Sequence, residues 1–143
     1  MKAHVILIAA TLAVGLAEEM TLIQPGDLAA QLTGKGATPP IYYVGPNVLY
    51  RSKHIPGSIF AGPGSRPDGL EALKAAAAKL PRDREVILYC GCCPWSHCPN
   101  VKPAVEALKQ MGFTKVKAMF VETNFAKDWI EKGYPVEAGT ANP

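Results

Sequence analysis

A short apolar run that ends at a cysteine does most to limit the folds open to this chain. Residues 86–89 read VILY, and Cys90 follows them directly. Beyond a loop, apolar side chains recur from Val101 to Met111 at the i, i+3, i+4, i+7 spacing of an amphipathic helix. Strand, loop and helix in this order are typical of a parallel α/β sheet, in which ligands bind at the carboxyl ends of the strands. The sequence therefore predicts that Cys90 lies at the ligand-binding edge of such a sheet.

The rest of the chain alternates between strand and helix patterns separated by turns rich in Gly and Pro. Strands are predicted at residues 41–44, 58–60, 85–89 and 115–120, and helices at residues 28–32, 68–80, 101–111 and 125–132. Asp68 is predicted to cap the second helix, and residues 45–47 are predicted to form a turn. The alternation predicts a single α/β domain with a mostly parallel central sheet and helices on both faces.

Residues 1–17 have the pattern of a secretory signal peptide. A short basic start precedes an apolar stretch, and Gly15 and Ala17 offer the small side chains that a signal peptidase recognises. The apolar stretch is shorter than the roughly 20 residues that a membrane-spanning helix needs. We expect cleavage before Glu18, a domain formed by residues 18–143, and a periplasmic or secreted protein with no stable membrane association after cleavage.

Charged side chains are nearly balanced and are spread along the sequence. The chain of 143 residues has 15 Lys and Arg against 12 Asp and Glu, which gives a formal net charge of +3. Nucleic-acid-binding domains instead concentrate basic residues on one surface. No nucleic-acid partner is therefore predicted.

All the cysteines of the chain lie in the loop that follows the predicted strand 85–89. They are Cys90, Cys92, Cys93 and Cys98. A structural disulfide contributes most when it joins distant segments, so this close spacing favours catalysis, redox exchange or metal binding; a local staple is the alternative. Backbone N–H groups of the loop and the dipole of the following helix lower the pKa of a thiol. Cys90 is therefore predicted to be a thiolate near neutral pH.

Several roles remain open for the other thiols. Cys92, Cys93 and Cys98 are candidates to resolve an intermediate on Cys90 or to exchange a disulfide with it, and Cys90 with Cys93 forms a C-x-x-C pair. The four thiols together with His97 would also suit a soft ion such as Cu(I) or zinc. Adjacent cysteines seldom point at one ion, so neither a metal nor another cofactor is predicted.

The remaining side chains of the loop are predicted to form its substrate-binding surface. They are Gly91, Pro94, Trp95, Ser96 and His97. An indole in such a loop suits a lid or a packing contact. An imidazole there suits a proton carrier or a group that lowers a thiol pKa, and an exposed histidine without a role is the alternative.

Two basic residues, Arg51 and Lys53, precede a tight bend at residues 54–57. We expect this bend near the carboxyl edge of the sheet, where His54 shapes the backbone. The two charges there could attract an anionic ligand, and solvated surface charges are the alternative.

Four segments of the chain form a recognisable pattern. They are His54-Ile55-Pro56-Gly57-Ser58, the strand at residues 86–89 with Cys90, Met111-Gly112-Phe113, and Trp129 followed by Gly133-Tyr134-Pro135-Val136. On these segments the chain resembles the rhodanese family, from about residue 23 to residue 136. Where that family usually has Asp-Val-Arg before the bend, residues 44–46 read VGP, and the loop here is longer and has three further cysteines.

The resemblance implies a sulfurtransferase. Rhodaneses take sulfane sulfur from a small donor such as thiosulfate or polysulfide onto the loop cysteine as a persulfide, and they pass it to a thiol or protein acceptor. In this chain the resemblance implies that the persulfide forms on Cys90 without a cofactor. The alternatives are a thiol-disulfide oxidoreductase that uses Cys90 and Cys93, and a non-enzymatic carrier of sulfur or metal.

Overall fold

The structure, a computed structural model, describes residues 19–139. The predicted signal segment, residues 1–17, lies outside the described residues, so cleavage and export stay predictions. Between residues 19 and 139 no helix has the length and the apolar character needed to cross a membrane.

Within the described residues, five parallel strands form one central sheet. They are β1 (Thr21–Ile23), β2 (Ile41–Tyr43), β3 (Ile59–Phe60), β4 (Val86–Tyr89) and β5 (Val116–Met119), in the order β1-β5-β4-β2-β3. Every pairing in this sheet is parallel. β4 lies in the middle with all of its side chains buried, and Cys90 follows its last residue. The predicted α/β fold with a parallel sheet is confirmed.

Helices cover both faces of this sheet. The described residues contain α1 (Pro25–Thr33), α2 (Asn47–Ser52), α3 (Pro67–Ala77), α4 (Val101–Gln110), a 3₁₀ turn at Trp95–His97 and a π-helical turn at Ala126–Ile130. Leu73 of α3 and Leu108 of α4 belong to the core on one face. Leu28 of α1 and Trp129 of the π-helical turn belong to the core on the other face. The prediction of helices on both faces is confirmed.

The side chains of β4 alternate between these two cores, as strand geometry requires. Val86, Leu88 and Cys90 belong to the core beneath α3 and α4, whereas Ile87 and Tyr89 belong to the core beneath α1. Cys90 therefore continues the alternation of the strand. Its thiol lies on the face where α4 begins.

Two elements are absent from the sequence predictions. β1 is an edge strand in which only Ile23 is buried, so it lacks the apolar alternation by which a strand is recognised. α2 begins where the sequence predicts a turn at residues 45–47. It has six residues and only Tyr50 of these is buried, which is too little for a helical period.

Two predicted helices have different bounds or geometry. α3 begins at Pro67, and Arg66 rather than Asp68 occupies the N-cap position. Proline suits the first helical position, and the Asp68 carboxylate accepts a hydrogen bond from the Arg66 guanidinium at 3.0 Å instead of capping the backbone. The helix predicted over residues 125–132 is the π-helical turn at Ala126–Ile130.

The bend at residues 54–57 is tied to the C-terminal segment through Glu137. The ring nitrogens of His54 lie 2.7 Å from the Tyr50 carbonyl oxygen and 3.0 Å from Glu137 Oε1. The same Oε1 atom accepts the N–H of Gly57 at 3.2 Å. His54 itself is buried, and these contacts support the structural role predicted for it.

Replacing Glu137 with alanine is expected to lower the free energy of unfolding by about 1–2 kcal/mol, because His54 and the Gly57 N–H lose a shared acceptor. Urea unfolding followed by circular dichroism measures the change. The matched control is Glu106→Ala on the exposed side of α4, which should change stability by less than about 0.5 kcal/mol. Equal stability of the two variants would show that Glu137 does not tether the bend.

Candidate active site

Hydrogen bonds fix the loop after β4 at the carboxyl edge of the sheet. The Gly91 carbonyl oxygen accepts the N–H of Phe125 at 3.2 Å, and the Trp95 N–H donates to the Val121 carbonyl oxygen at 2.9 Å. Both partners belong to the segment that follows β5. The loop that contains the cysteines therefore has a defined position next to the end of β4.

Three of the four thiols meet at this edge. The Sγ atoms of Cys90, Cys92 and Cys98, called here the thiol cluster, all lie within 4.8 Å of one another. The Sγ atoms of Cys90 and Cys92 are 3.3 Å apart. Cys93 does not belong to the cluster: its Sγ lies 2.9 Å from Cys92 Sγ and 3.7 Å from the His97 carbonyl oxygen. All four cysteines are free thiols.

The pKa values of Cys98 and Cys90 are shifted in opposite directions within the thiol cluster. A hydrogen bond from the Cys90 thiol lowers the pKa of Cys98 to about 5 against the opposing effect of burial, and the backbone N–H groups of Asn100 and Val101 also lower it. The same hydrogen bond, together with burial, raises the pKa of Cys90. These directions do not support the predicted thiolate at Cys90 and favour Cys98 instead. The N–H groups at the start of α4 reach the cysteine nearer the helix and not the cysteine at the strand end.

A buried amide, Asn100, contacts two sulfurs of the thiol cluster. Its Oδ1 accepts the N–H of Ser65 at 3.0 Å, and its Nδ2 lies 3.5 Å from Cys90 Sγ and 3.8 Å from Cys92 Sγ. Sequence reasoning missed this residue, because an asparagine before a helix suggests an N-cap. The side chain makes no capping bond here. The only sign of this role in the sequence is the position of Asn100 between the cysteines and α4.

The hydroxyl group of Tyr43 faces the Cys90 thiol across Gly45. A Cβ atom at Gly45 would lie 2.7 Å from both Tyr43 Oη and Cys90 Sγ, so no larger residue fits between them. The hydroxyl is buried, and it has no hydrogen-bond partner among residues 19–139. Burial and then the nearby Cys90 raise the pKa of Tyr43, so the hydroxyl stays a neutral donor. Sequence reasoning missed it because a tyrosine in an apolar strand suggests core packing.

Two cavities without a common lining residue reach the thiol cluster. The first, of about 330 Å³, adjoins β2, α2 and the loop, and its lining includes Tyr43, Lys53, Gly91, Cys92 and Phe125. The second, of about 320 Å³, adjoins the start of α4, and its lining includes Met20, Trp95, Cys98 and Lys102. Small molecules can therefore approach Cys92 and Cys98 from separate openings.

A family model of the rhodanese-like domain matches residues 26–120, a segment that includes the central strand and the cysteine loop. The chain belongs to the rhodanese-like domain family. A rhodanese-like domain with a cluster of cysteines supports a role related to sulfur transfer. No curated protein matches the sequence.

Solved structures share the rhodanese-like fold at low identity. The rhodanese-like domain of the Alr3790 protein from Anabaena sp. is 20% identical, with a TM-score of 0.61, and the match covers 84% of this chain and 80% of that one. BH2092 from Bacillus halodurans is 20% identical, with a TM-score of 0.64, and the match covers 82% of this chain and 77% of that one. RPA3614 from Rhodopseudomonas palustris, described as a possible tyrosine phosphatase, is 17% identical, with a TM-score of 0.58. That match covers 82% of this chain and 85% of that one. At such identities the likeness concerns the fold alone.

The other predicted loop residues of this rhodanese-like domain differ in exposure. Gly91 is buried, and a Cβ atom there would collide with Phe125. Trp95 is half-buried, which agrees with a packing role. The exposed members are Pro94, Ser96 and His97. The His97 ring pairs with the Ser96 hydroxyl at 2.8 Å and is not part of the thiol cluster.

The structure separates the two basic residues that were predicted to attract an anion. Lys53 lines the cavity that reaches Cys92. Arg51 is exposed on α2 and is not among the residues that line this cavity. Lys53 is therefore the better placed of the two to meet an anion there.

Replacing Asn100 with alanine is expected to lower the free energy of unfolding by about 1–3 kcal/mol, because the Ser65 N–H loses its acceptor. Urea unfolding measures the change. Ser65→Ala is the matched control: it keeps the backbone N–H that Asn100 binds, so its stability should stay within about 0.5 kcal/mol of the wild type. If the two variants were equally stable, the hydrogen bond from the Ser65 N–H to Asn100 would not contribute to stability.

Proposed function

We propose that this protein is a sulfurtransferase or sulfane-sulfur carrier that forms a persulfide on Cys90 and passes the sulfur to a thiol acceptor. The observation that carries the proposal is the contact between the Sγ atoms of Cys90 and Cys92, 3.3 Å apart at the carboxyl end of the central strand. A thiol at this distance can receive sulfur from its neighbour or displace it. Membership of the rhodanese-like family supports the same chemistry.

The proposed uptake step begins with a proton transfer within the thiol cluster. The Cys98 thiolate takes the proton of the Cys90 thiol, and the Cys90 sulfur attacks the sulfane sulfur of the donor. With thiosulfate, the bond between the two donor sulfurs breaks, sulfite leaves with the electron pair, and Cys90 retains the sulfane sulfur as a persulfide anion. No external oxidant or reductant takes part. A polysulfide donor would lose a shorter polysulfide in the same way.

Tyr43 supplies the hydrogen bond that this persulfide needs. Its hydroxyl is buried beside Cys90 and has no partner elsewhere among the described residues. A buried donor without an acceptor costs about 1–3 kcal/mol, and a terminal sulfur atom on Cys90 would remove that cost. Lys53, which lines the cavity next to Cys92, supplies a positive charge for an anionic donor.

The possible phosphatase assignment of RPA3614 does not suit this chain. Phosphate recognition at a cysteine loop favours an arginine, whose guanidinium binds two phosphate oxygens at once. Residues 91–100 contain neither arginine nor lysine. The loop offers sulfur atoms where a phosphatase needs a fixed positive charge.

Intact mass spectrometry of the reduced, metal-free protein tests the proposal. After incubation with thiosulfate or polysulfide, we expect a gain of the mass of one sulfur atom that a reductant reverses. A protein that loses hydrogen mass with thiosulfate but releases no sulfite forms a disulfide without taking up sulfur. That result would support the oxidoreductase alternative, which uses Cys90 and Cys93, and would exclude the sulfur carrier.

Replacing Tyr43 with phenylalanine is expected to slow sulfur uptake about 10- to 100-fold, because a hydrogen bond to a charged group contributes about 1.5–3 kcal/mol. The variant should be at least as stable as the wild type, since it removes a buried donor without a partner. Tyr42→Phe is the control, because the Tyr42 hydroxyl bonds to the Ala76 carbonyl oxygen at 3.2 Å, away from the thiols. Uptake at the wild-type rate in Tyr43→Phe would remove this residue from the mechanism.

A further inference from the structure

The thiol cluster has the geometry of a binding site for a soft metal ion. A three-coordinate ion with metal–sulfur bonds of about 2.3 Å separates its sulfur ligands by about 4 Å. The Sγ atoms of Cys90, Cys92 and Cys98 all lie within 4.8 Å of one another, and those of Cys90 and Cys92 are 3.3 Å apart. Small side-chain rotations would therefore bring the three sulfurs around one ion.

We propose that Cys90, Cys92 and Cys98 together bind one Cu(I) ion in the reduced protein. Thiolates are soft ligands and select soft ions such as Cu(I). Structural zinc sites take a fourth protein ligand. Among the described residues, no imidazole or carboxylate joins the three sulfurs.

The objection that adjacent cysteines cannot share an ion does not apply to this set. Of the adjacent pair, only Cys92 belongs to the thiol cluster; the Cys93 Sγ contacts Cys92 Sγ at 2.9 Å and the His97 carbonyl oxygen at 3.7 Å without joining the set of three. The three ligands come from the strand end, the middle of the loop and the segment before α4. The set therefore needs no two adjacent cysteines to share the ion.

Hydrogen-bond donors around the three sulfurs support bound thiolates. The Asn100 Nδ2 group lies 3.5 Å from Cys90 Sγ and 3.8 Å from Cys92 Sγ, and the backbone N–H groups of Asn100 and Val101 donate to Cys98. Donors of this kind orient metal ligands and strengthen binding by about 10- to 100-fold. Every sulfur of the proposed site therefore has at least one N–H partner.

The opening beside Cys98 suits the entry of a soft ion. Its lining includes the thioether of Met20, which is a further soft ligand, and the indole of Trp95. An ion that enters here meets the sulfur atoms of Met20 and Cys98, which both line the opening. Cys90 and Cys92 then complete its coordination.

Cu(I) titration of the reduced full chain under anaerobic conditions, in competition with a chromogenic Cu(I) chelator, tests this site. We expect one ion per chain, with sulfur-only coordination and three sulfur neighbours in the X-ray absorption spectrum. Cys90→Ser, Cys92→Ser and Cys98→Ser should each weaken binding by at least about 100-fold. Cys93→Ser, the matched control, should stay within about threefold of the wild type. Circular dichroism shows whether each variant is folded. If one of the three ligand variants does not fold, the other two test the site.

Three outcomes would overturn the site: fewer than one ion per chain, an equal loss of affinity in Cys93→Ser, or tighter binding of zinc than of Cu(I). The protein in these titrations has met no sulfur donor. A failure of sulfur uptake would therefore leave the Cu(I) result standing, and a failure of Cu(I) binding would leave the sulfur-transfer proposal standing.

Discussion

Replacing Cys90 with serine is expected to abolish the uptake of sulfur from thiosulfate or polysulfide and its transfer to cyanide or a thiol. An alcohol cannot retain sulfane sulfur, and serine nearly matches cysteine in volume, so the fold should persist. Cys90 is 2% exposed, between Tyr43 and Asn100. The other three cysteines are more exposed than Cys90 and cannot replace it at this buried position. Intact mass and a sulfite-release assay measure the loss, which should exceed about 1,000-fold if the persulfide forms only on Cys90.

The control for this prediction is Cys93→Ser, which removes a thiol of the same loop but not of the thiol cluster. It should load sulfur at close to the wild-type rate. Full activity of Cys90→Ser would instead move the chemistry to Cys92 or Cys98. Membership of the rhodanese-like family would then account for the fold and not for the reacting atom.

Replacing Cys92 with serine is expected to abolish the release of sulfide that accompanies disulfide formation in the loaded protein. When the Cys92 thiol attacks the inner sulfur of the Cys90 persulfide, a Cys90–Cys92 disulfide forms and hydrosulfide leaves with the electron pair. The outer sulfur of the persulfide anion takes the proton of the Cys92 thiol and leaves as hydrosulfide, and no other oxidant is needed. The distance of 3.3 Å between the two sulfurs places the attacking atom next to its target.

Sulfide electrodes and peptide mapping after loading measure this step. Cys93→Ser should release sulfide as the wild type does, because Cys93 is outside the thiol cluster. The sequence leaves Cys92 and Cys93 as equal candidates, and the structure favours Cys92. Loss of sulfide release in Cys93→Ser with normal release in Cys92→Ser would reverse this assignment and favour the Cys90–Cys93 pair. Normal release in both would mean that neither thiol resolves the persulfide.

The fold could be predicted wherever a segment has a pattern of its own. β2, β4, α3 and α4 have apolar runs or helical periods bounded by Gly and Pro, and each is found close to the predicted position. β1 and α2 could not be predicted, because each buries a single residue, Ile23 in β1 and Tyr50 in α2. Such elements form because they pair with a neighbouring strand or pack against the core. That information is not in the local sequence.

The sequence by itself determined that four thiols follow the central strand and precede an amphipathic helix, since the apolar pattern of residues 86–89 and of Val101 to Met111 fixes both elements. Only the tertiary structure decided which three sulfurs meet and that the pKa of Cys98, rather than that of Cys90, is lowered. It also brought in Tyr43 and Asn100, whose chemistry at the site depends on distances to Cys90. Side-chain directions in an irregular loop follow no period. The pKa values of neighbouring thiols depend on burial and on hydrogen-bond donors from other segments. These quantities exist only once the chain has folded.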